Sequence, residues 1–282
     1  MKNTQFQKGT LEITRNFEGI QFLDSTLTKE MELKVIKTLN AGNPKGFFTL
    51  IIQEGEETFF FKFQGTSTLA TVNILVTNSE ELEDAVIFYP EVQSLDERIG
   101  PNTVSNYLLP FADLGLKNLD GLLFAILTAK PVFIIGAEEE IAPLVFSILS
   151  FLPPEIAKKR SLITHTESIS QKMDFIGLTG EGAVKLSTQW VDTATVVVLS
   201  ENRIYSPYEC PLTKQLAELI LTKQSAKVSQ LLADIYQKSW SIRSQPLEDV
   251  AEELDCPKAN GEFYFLVAKT IDRIPSLRKE EA

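Results

Sequence analysis

The chain has few of the side chains on which enzymes and metal sites usually depend. Its 282 residues include one histidine, His165, and two cysteines, Cys210 and Cys256. A catalytic triad needs a histidine base together with a nucleophile and an orienting acid. A zinc site needs further histidines or closely spaced cysteines. We therefore predict no metal and no cofactor, and an α/β enzyme acting on a small molecule would have to use His165.

Basic residues are in the minority, and no apolar run is long. The chain has 27 Lys and Arg residues against 38 Asp and Glu residues, a formal net charge of -11. An acidic chain repels phosphate backbones, so we expect no nucleic-acid partner. No stretch reaches the roughly 18 apolar residues that cross a bilayer, and residues 1–8 have no apolar signal core. We expect no transmembrane segment and a cytoplasmic location, with peripheral recruitment to membranes through partners.

The length is about twice that of a common domain, which predicts two domains. In residues 1–92, apolar and polar residues alternate as in half-buried strands, at 9–17, 19–25, 46–53, 58–64 and 69–76. Helical patterns follow Thr28 and residue 79. The predicted order is β-β-α-β-β-β-α, a compact sheet with helices on it, and this smaller domain should end near residue 90. Residues 93–116 lack periodicity and are predicted to connect the two domains.

Residues 117–282 begin with a helical stripe at 119–127 and the continuous apolar strand 132–135, which is typical of a strand covered on both faces. A second such run spans 196–199, and we expect both runs inside a sheet. The amphipathic helix between them places Leu144 and Ile148 on one stripe, and we expect both to pack against Phe133. Further strands are predicted at 161–165, 174–178 and 203–206, followed by helices at 211–222, 226–240, 246–254 and 261–274.

Two segments resemble phosphate-binding loops, but their residues are not suited to bind phosphate. Residues 177–182 have the glycine spacing of a P-loop, but Ala183 and Val184 replace the lysine and hydroxyl residue that hold phosphate and magnesium. After Gly136, three glutamates (138–140) open the next helix. They stabilise the positive end of the helix dipole and repel phosphate. We interpret the first segment as a turn between strands and the second as a helix start.

The second unit resembles the core of DENN domains, in particular the divergent ones of the folliculin group. The resemblance rests on KPVFIIG at 130–136, a helix ending in SFLPP at 150–154, DFIGL at 174–178 and TVVVLSENRI at 195–204. Ser200 and Glu201 stand where that family has an acidic-first motif. The first unit is similar to a longin domain in the order of its elements. The resemblance implies an α/β (α+β) protein, with a longin-like domain at 1–92 and a DENN-like domain with C-terminal helices at 117–282.

The family acts on small GTPases, by nucleotide exchange or GTPase activation, in settings that include membrane trafficking. The resemblance therefore implies a GTPase regulator rather than an enzyme in its own right, with a small GTPase as partner. A paralogous longin-domain protein or a second copy of the chain is the other partner it implies. The alternatives are a non-catalytic scaffold and the enzyme based on His165. An arginine finger would be one of four residues: Arg15, Arg98, Arg160 and Arg203. Of these we single out Arg98, in the interdomain segment.

Overall fold

The computed structural model describes ten strands, six bounded helices and several shorter stretches. The described residues are 7–14, 20–42, 49–54, 57–65, 69–78, 118–137, 140–141, 144–145, 148, 160–166, 173–178, 183, 186 and 194–272. Three predicted features lie outside these ranges: the connection between domains at 93–116, the helix after residue 79 and the end of the helix after Ile141.

The strands follow the sequence prediction closely. They are β1 Gln7–Thr14, β2 Ile20–Ser25, β3 Thr49–Glu54, β4 Glu57–Gly65, β5 Leu69–Asn78, β6 Val132–Ile135, β7 Leu162–Thr166, β8 Phe175–Leu178, β9 Thr195–Val198 and β10 Arg203–Tyr205. The helices are α1 Lys29–Gly42, α2 Leu119–Leu127, α3 Pro211–Leu221, α4 Ser225–Ser241, α5 Leu247–Glu253 and α6 Lys258–Asp272. The α/β class is confirmed, as is the order of the elements where they are described.

All ten strands belong to one sheet, in the order β10-β9-β6-β8-β7-β3-β4-β5-β1-β2. The β7-β8-β6-β9 section is parallel, and the section from β3 to β2 is antiparallel. The two sections join where Leu50 in β3 pairs with Ile163 in β7. The expectation that the first unit closes as a sheet of its own is therefore wrong. The boundary drawn at 93–116 stays a prediction.

The apolar run 132–135 lies in the interior of this sheet, as predicted. So do residues 196–198 of the second run, but Leu199 begins a 3-10 turn after β9, so the expectation for that residue is wrong. Strand β6 pairs with β8 on one side and with β9 on the other, and β9 also pairs with the short edge strand β10. Val132, Phe133 and Ile134 are buried, as are Val196 and Val197. Burial on both faces explains why these strands show no alternation of apolar and polar residues.

The two faces of β6 contact different parts of the core. Val132 and Ile134 belong to the large cluster that also contains Leu144 and Ile148. Phe133 is equally buried but is not a member of that cluster, because successive side chains of a strand point to opposite faces. The predicted burial of Leu144 and Ile148 is confirmed. The predicted grouping of Phe133 with them is wrong.

The four C-terminal helices pack with α2 on the face of the sheet that carries Val132 and Ile134. Their apolar stripes supply the rest of the cluster, chiefly Leu216 and Ile220 from α3, Val228, Leu232 and Ile235 from α4, Val250 from α5, and Phe263, Val267 and Ile271 from α6. Pro211 occupies the first turn of α3, where its missing N–H costs nothing. This helical layer leaves the opposite side of β10 exposed at Arg203.

Candidate partner-binding site

The carboxyl ends of the parallel strands are where α/β sheets usually bind ligands. At the end of β6, the backbone N–H of Ala137 donates to Glu140 Oε2 at 3.3 Å. The carbonyl of Ala137 accepts from the N–H groups of Glu140 and Ile141. A carboxylate of the chain thus already occupies this helix start, which confirms its interpretation as a helix start.

Gly136 leaves room for the side chain of Leu199. A Cβ atom there would lie 2.5 Å from Leu199 Cδ1, at the end of the neighbouring strand β9. The glycine therefore allows the turn after β9 to approach the turn after β6. Gly177 of the P-loop-like segment lies within β8, and residues 179–182 lie outside the described part of the chain.

The described part of the structure shows no cluster of catalytic or metal-binding side chains around His165, Cys210 or Cys256. His165 lies in β7, and its side chain is outside the described set. Within the described residues, no three His, Cys, Asp or Glu side chains form a group that could hold a metal ion. Cys210 and Cys256 are free thiols, and burial raises the pKa of both, which disfavours the nucleophilic thiolate.

Of the four arginines considered as fingers, Arg15 and Arg98 lie outside the described residues. Arg160 is 5 % exposed and its Nη1 pairs with Asp174 Oδ1 at 2.9 Å. Its Nη2 donates to the carbonyl oxygen of Ile126 at 2.6 Å, at the end of α2. A side chain held inside the fold in this way cannot reach another protein, so the structure excludes Arg160 as a finger.

Asp174 extends this pair into a network at the amino ends of the parallel strands. Its Oδ2 accepts from the backbone N–H of Ser161 at 2.8 Å and from the Ser161 hydroxyl at 2.9 Å. Its own carbonyl accepts from the N–H of Val132 at 2.8 Å. The network ties α2, β6, β7 and β8 together at the end of the sheet opposite the usual ligand site. We assign it a structural role.

Arg203 lies in a different environment, on the hairpin between β9 and β10. The chain leaves β9 through a 3-10 turn, Leu199–Glu201, and reverses at Asn202, whose φ of 48° is left-handed. Asparagine is one of the few residues that accept this conformation readily. The turn places Arg203 opposite Val198 and Tyr205 opposite Val196. Arg203 and Tyr205 therefore share one face of β10, and the buried Ile204 points to the other.

Three side chains of this hairpin hold one another in place. The Tyr205 hydroxyl donates to Glu201 Oε2 at 2.9 Å, and the Arg203 guanidinium carbon lies 4.7 Å from the centre of the Tyr205 ring. The hydrogen bond to Glu201 is the main cause that raises the pKa of Tyr205, and partial burial is the second. The Arg203 charge opposes this rise. The phenol is therefore neutral at physiological pH and fixed in orientation.

The base of the hairpin is anchored on α2. Asn118 Nδ2 donates to the carbonyl oxygen of Ile204 at 3.0 Å, which occupies one backbone acceptor of this edge strand and limits pairing with another strand. Ser206 Oγ lies 2.9 Å from Thr195 Oγ1. Tyr208 stacks on Phe124 of α2 with ring centroids 5.0 Å apart. These contacts make the hairpin a rigid projection rather than a loose loop.

A second cluster of aromatic and basic residues lies on the C-terminal helices. Arg243 covers the Trp240 ring at 4.3 Å and donates from Nη1 to the Trp240 carbonyl at 3.1 Å. Tyr236 stacks on Trp240 at a centroid distance of 6.4 Å. These three residues are half-buried and stabilise the end of α4, so we treat them as part of the helical layer.

Local sequence patterns did not reveal the trio of Glu201, Arg203 and Tyr205. The strand and its return were predicted, but the contacts depend on the 3-10 turn and the left-handed Asn202. The available signal was the i, i+2 spacing of Arg203 and Tyr205 on a strand, which places both on one face. No protein-family model matches the chain, and no curated protein matches it in sequence. No helix in the described ranges is long and apolar enough to span a membrane.

Proposed function

We propose that the protein is a longin–DENN-like regulator or binding partner of small GTPases, acting in membrane trafficking. The observation that carries the proposal is the order of elements in the second half. Helix α2 leads into β6, a helix with Ile141 and Ile148 follows, and then come β7, β8, β9, the return strand β10 and four helices. The segments that resemble the DENN core occupy β6, β8 and β9 of this parallel section.

The chemistry of the described residues supports binding rather than catalysis as the main task. At the helix start after Gly136 the backbone N–H of Ala137 already donates to the Glu140 carboxylate, whose charge disfavours phosphate there. Burial raises the pKa of the two free thiols, which disfavours the reactive thiolate. What the fold displays instead is a rigid hairpin with a charged arginine and an aromatic ring. Arginine and tyrosine are among the residues that contribute most to protein interfaces.

An exchange and hydrolysis assay tests the proposal. A panel of purified small GTPases, each loaded with GDP and with a GTP analogue, is titrated with the intact chain, and binding is measured together with nucleotide release and GTP hydrolysis. A stable complex should bury about 1,200–2,000 Å² in total. Accelerated release would identify an exchange factor, and accelerated hydrolysis a GTPase-activating protein. Binding with neither would identify a scaffold, and absence of binding to every GTPase would refute the proposal.

The edge strand β2 favours assembly with a second longin-like chain or a second copy. β2 ends the sheet, and Leu23 on it is 55 % exposed. An edge strand offers unpaired backbone groups to another chain. Light scattering with and without Leu23→Lys tests this, since a charge on the edge should shift the protein towards the monomer. An unchanged molar mass for the variant would exclude β2 as the assembly edge.

The alternative enzyme, with His165 as its base, makes a different prediction. A hydrolytic activity of the purified chain that is lost in His165→Ala, with no GTPase bound, would favour it over the regulator.

A further inference from the structure

The exposed guanidinium of Arg203 is a positive charge on the hairpin that no described carboxylate pairs with. In the described part of the chain no ion pair involves Arg203, although the protein carries a net charge of -11. The other described arginines differ in this respect: Arg160 is paired with Asp174, and Arg243 is half-buried against Trp240. The nearest carboxylate on the hairpin, Glu201, accepts from Tyr205 instead.

We propose that Arg203, held over the Tyr205 ring, is the main contact of this hairpin with a carboxylate on the surface of a bound protein partner. This inference rests on the proposed function, because the partner is the GTPase. A guanidinium carries five N–H donors, so one held over a ring can still form a planar, two-pronged bond to a carboxylate. Because the ring and the hairpin already restrict it, less side-chain entropy is lost on binding.

A carboxylate suits the site better than a nucleotide phosphate. Glu201 lies on the same short hairpin and is exposed, so a phosphate chain with several negative charges would be repelled by it, whereas one carboxylate would be repelled far less. The Arg203 guanidinium carbon is also held 4.7 Å from the centre of the Tyr205 ring, whereas a residue that enters another protein's nucleotide pocket must leave its own surface. Tyr205 adds an aromatic surface next to the charged contact, a common composition for interface centres.

The test uses the intact chain and the GTPase panel, with affinity as the readout. Arg203→Ala should weaken binding by about 30-fold, the value that corresponds to a central interface arginine. Arg203→Lys should recover only part of this loss, since an ammonium neither stacks nor forms a two-pronged bond. Tyr205→Leu, which removes the supporting ring, should weaken binding less than Arg203→Ala. Arg243→Ala removes an equally stacked cation elsewhere and should leave affinity unchanged.

The outcomes separate this inference from the proposed function. If a GTPase binds wild type and Arg203→Ala equally, the inference is overturned and the regulator proposal stands. A variant that binds equally but alters hydrolysis would show a phosphate contact, which also overturns it. The same holds if the variant loses only its binding to phosphatidylserine vesicles, because the partner would then be a lipid surface. If no GTPase binds wild type, both proposals fail.

Discussion

Arg160 and Asp174 form an ion pair at 2.9 Å whose guanidinium side chain is 4 % exposed and whose carboxylate is 21 % exposed. The pair lies between the end of α2 and the first residues of β7 and β8. It is surrounded by bonds from Ser161 that satisfy the remaining oxygen of Asp174. A buried pair of this kind fixes where the strands start.

Asp174→Ala should lower the free energy of unfolding by about 3–5 kcal/mol, because it leaves the buried guanidinium without its partner. Asp174→Asn should cost less, since an amide oxygen can still accept from Ser161. Urea denaturation measures both. The matched control is Glu209→Ala, which breaks a pair of the same length, 2.9 Å, that is solvent-exposed and should give no measurable change. Equal effects at the two sites would contradict the structural role of the network.

Truncation of the apolar stripe on the helix after β6 should also be costly. Leu144→Ala or Ile148→Ala should lower the free energy of unfolding by roughly 2–5 kcal/mol, the usual range for buried leucine and isoleucine, because Leu144 is 6 % exposed and Ile148 0 %. Leu33→Ala, at a position 69 % exposed, is the control and should change stability little. A loss under about 0.5 kcal/mol at either core position would mean that the stripe faces solvent.

Gly121 and Ser206 should be energetically coupled. A Cβ atom on Gly121 would lie 2.4 Å from Ser206 Cβ, so Gly121→Ala should destabilise the protein by about 1–3 kcal/mol through overpacking, although alanine is the better helix former. In a Ser206→Gly background the clash is absent, and the same substitution should become neutral or stabilising. A double-mutant cycle by thermal unfolding measures the coupling. Additive effects would show that α2 and the hairpin do not touch at this point.

The pKa of Tyr205 should depend on the carboxylate of Glu201. The hydrogen bond to that carboxylate raises the pKa of Tyr205 above its ordinary value of 10.0, so Glu201→Gln should bring it down towards that value. The hydroxyl contributes stability below about pH 10, and this contribution is lost as the pH rises through the raised pKa. NMR of ring-labelled tyrosine follows the titration. Tyr208, whose pKa is raised by burial, is an internal control and should not respond to the substitution.

Arg98 remains the candidate finger that the sequence favours, and it lies outside the described residues. Arg98→Ala should abolish stimulated GTP hydrolysis by a cognate GTPase and leave binding largely intact, because a finger stabilises the transition state rather than the ground state. Single-turnover hydrolysis and a separate binding titration measure the two properties. A variant that stimulates as well as wild type would remove the finger role without affecting the binding proposal.

Most strands and helices could be predicted because their periodicity is local. The runs at 132–135 and 196–199 predicted strands inside the sheet. Strands β6 and β9 both lie inside it, although β9 ends at Val198, one residue earlier than predicted. The same runs also explain the error at Phe133: a strand that is apolar at every position gives no sign of which residues share a face. Only the neighbours of β6 decide that Val132 and Ile134 pack with Leu144 and Ile148.

Contacts between distant segments were not accessible from local patterns. Prediction of the β3–β7 pairing would require knowledge of how the two sections of the sheet meet. No residue pattern within either strand indicates this pairing. The Arg160–Asp174 pair likewise joins two strand starts that are separated by a loop. For the hairpin trio, residue spacing was informative for Arg203 and Tyr205, but the approach of Glu201 depends on the backbone angles at Asn202.

The seam between Leu50 and Ile163 has a consequence for how the chain is made. During synthesis, β3 emerges long before β7, so one side of β3 stays unpaired while the 107 residues of segment 55–161 are made. Closing so large a loop is slow, and an open strand edge invites association with other nascent chains. The sheet of the first half is therefore complete only once β7 has been made, and until then the open edge of β3 can associate with other chains.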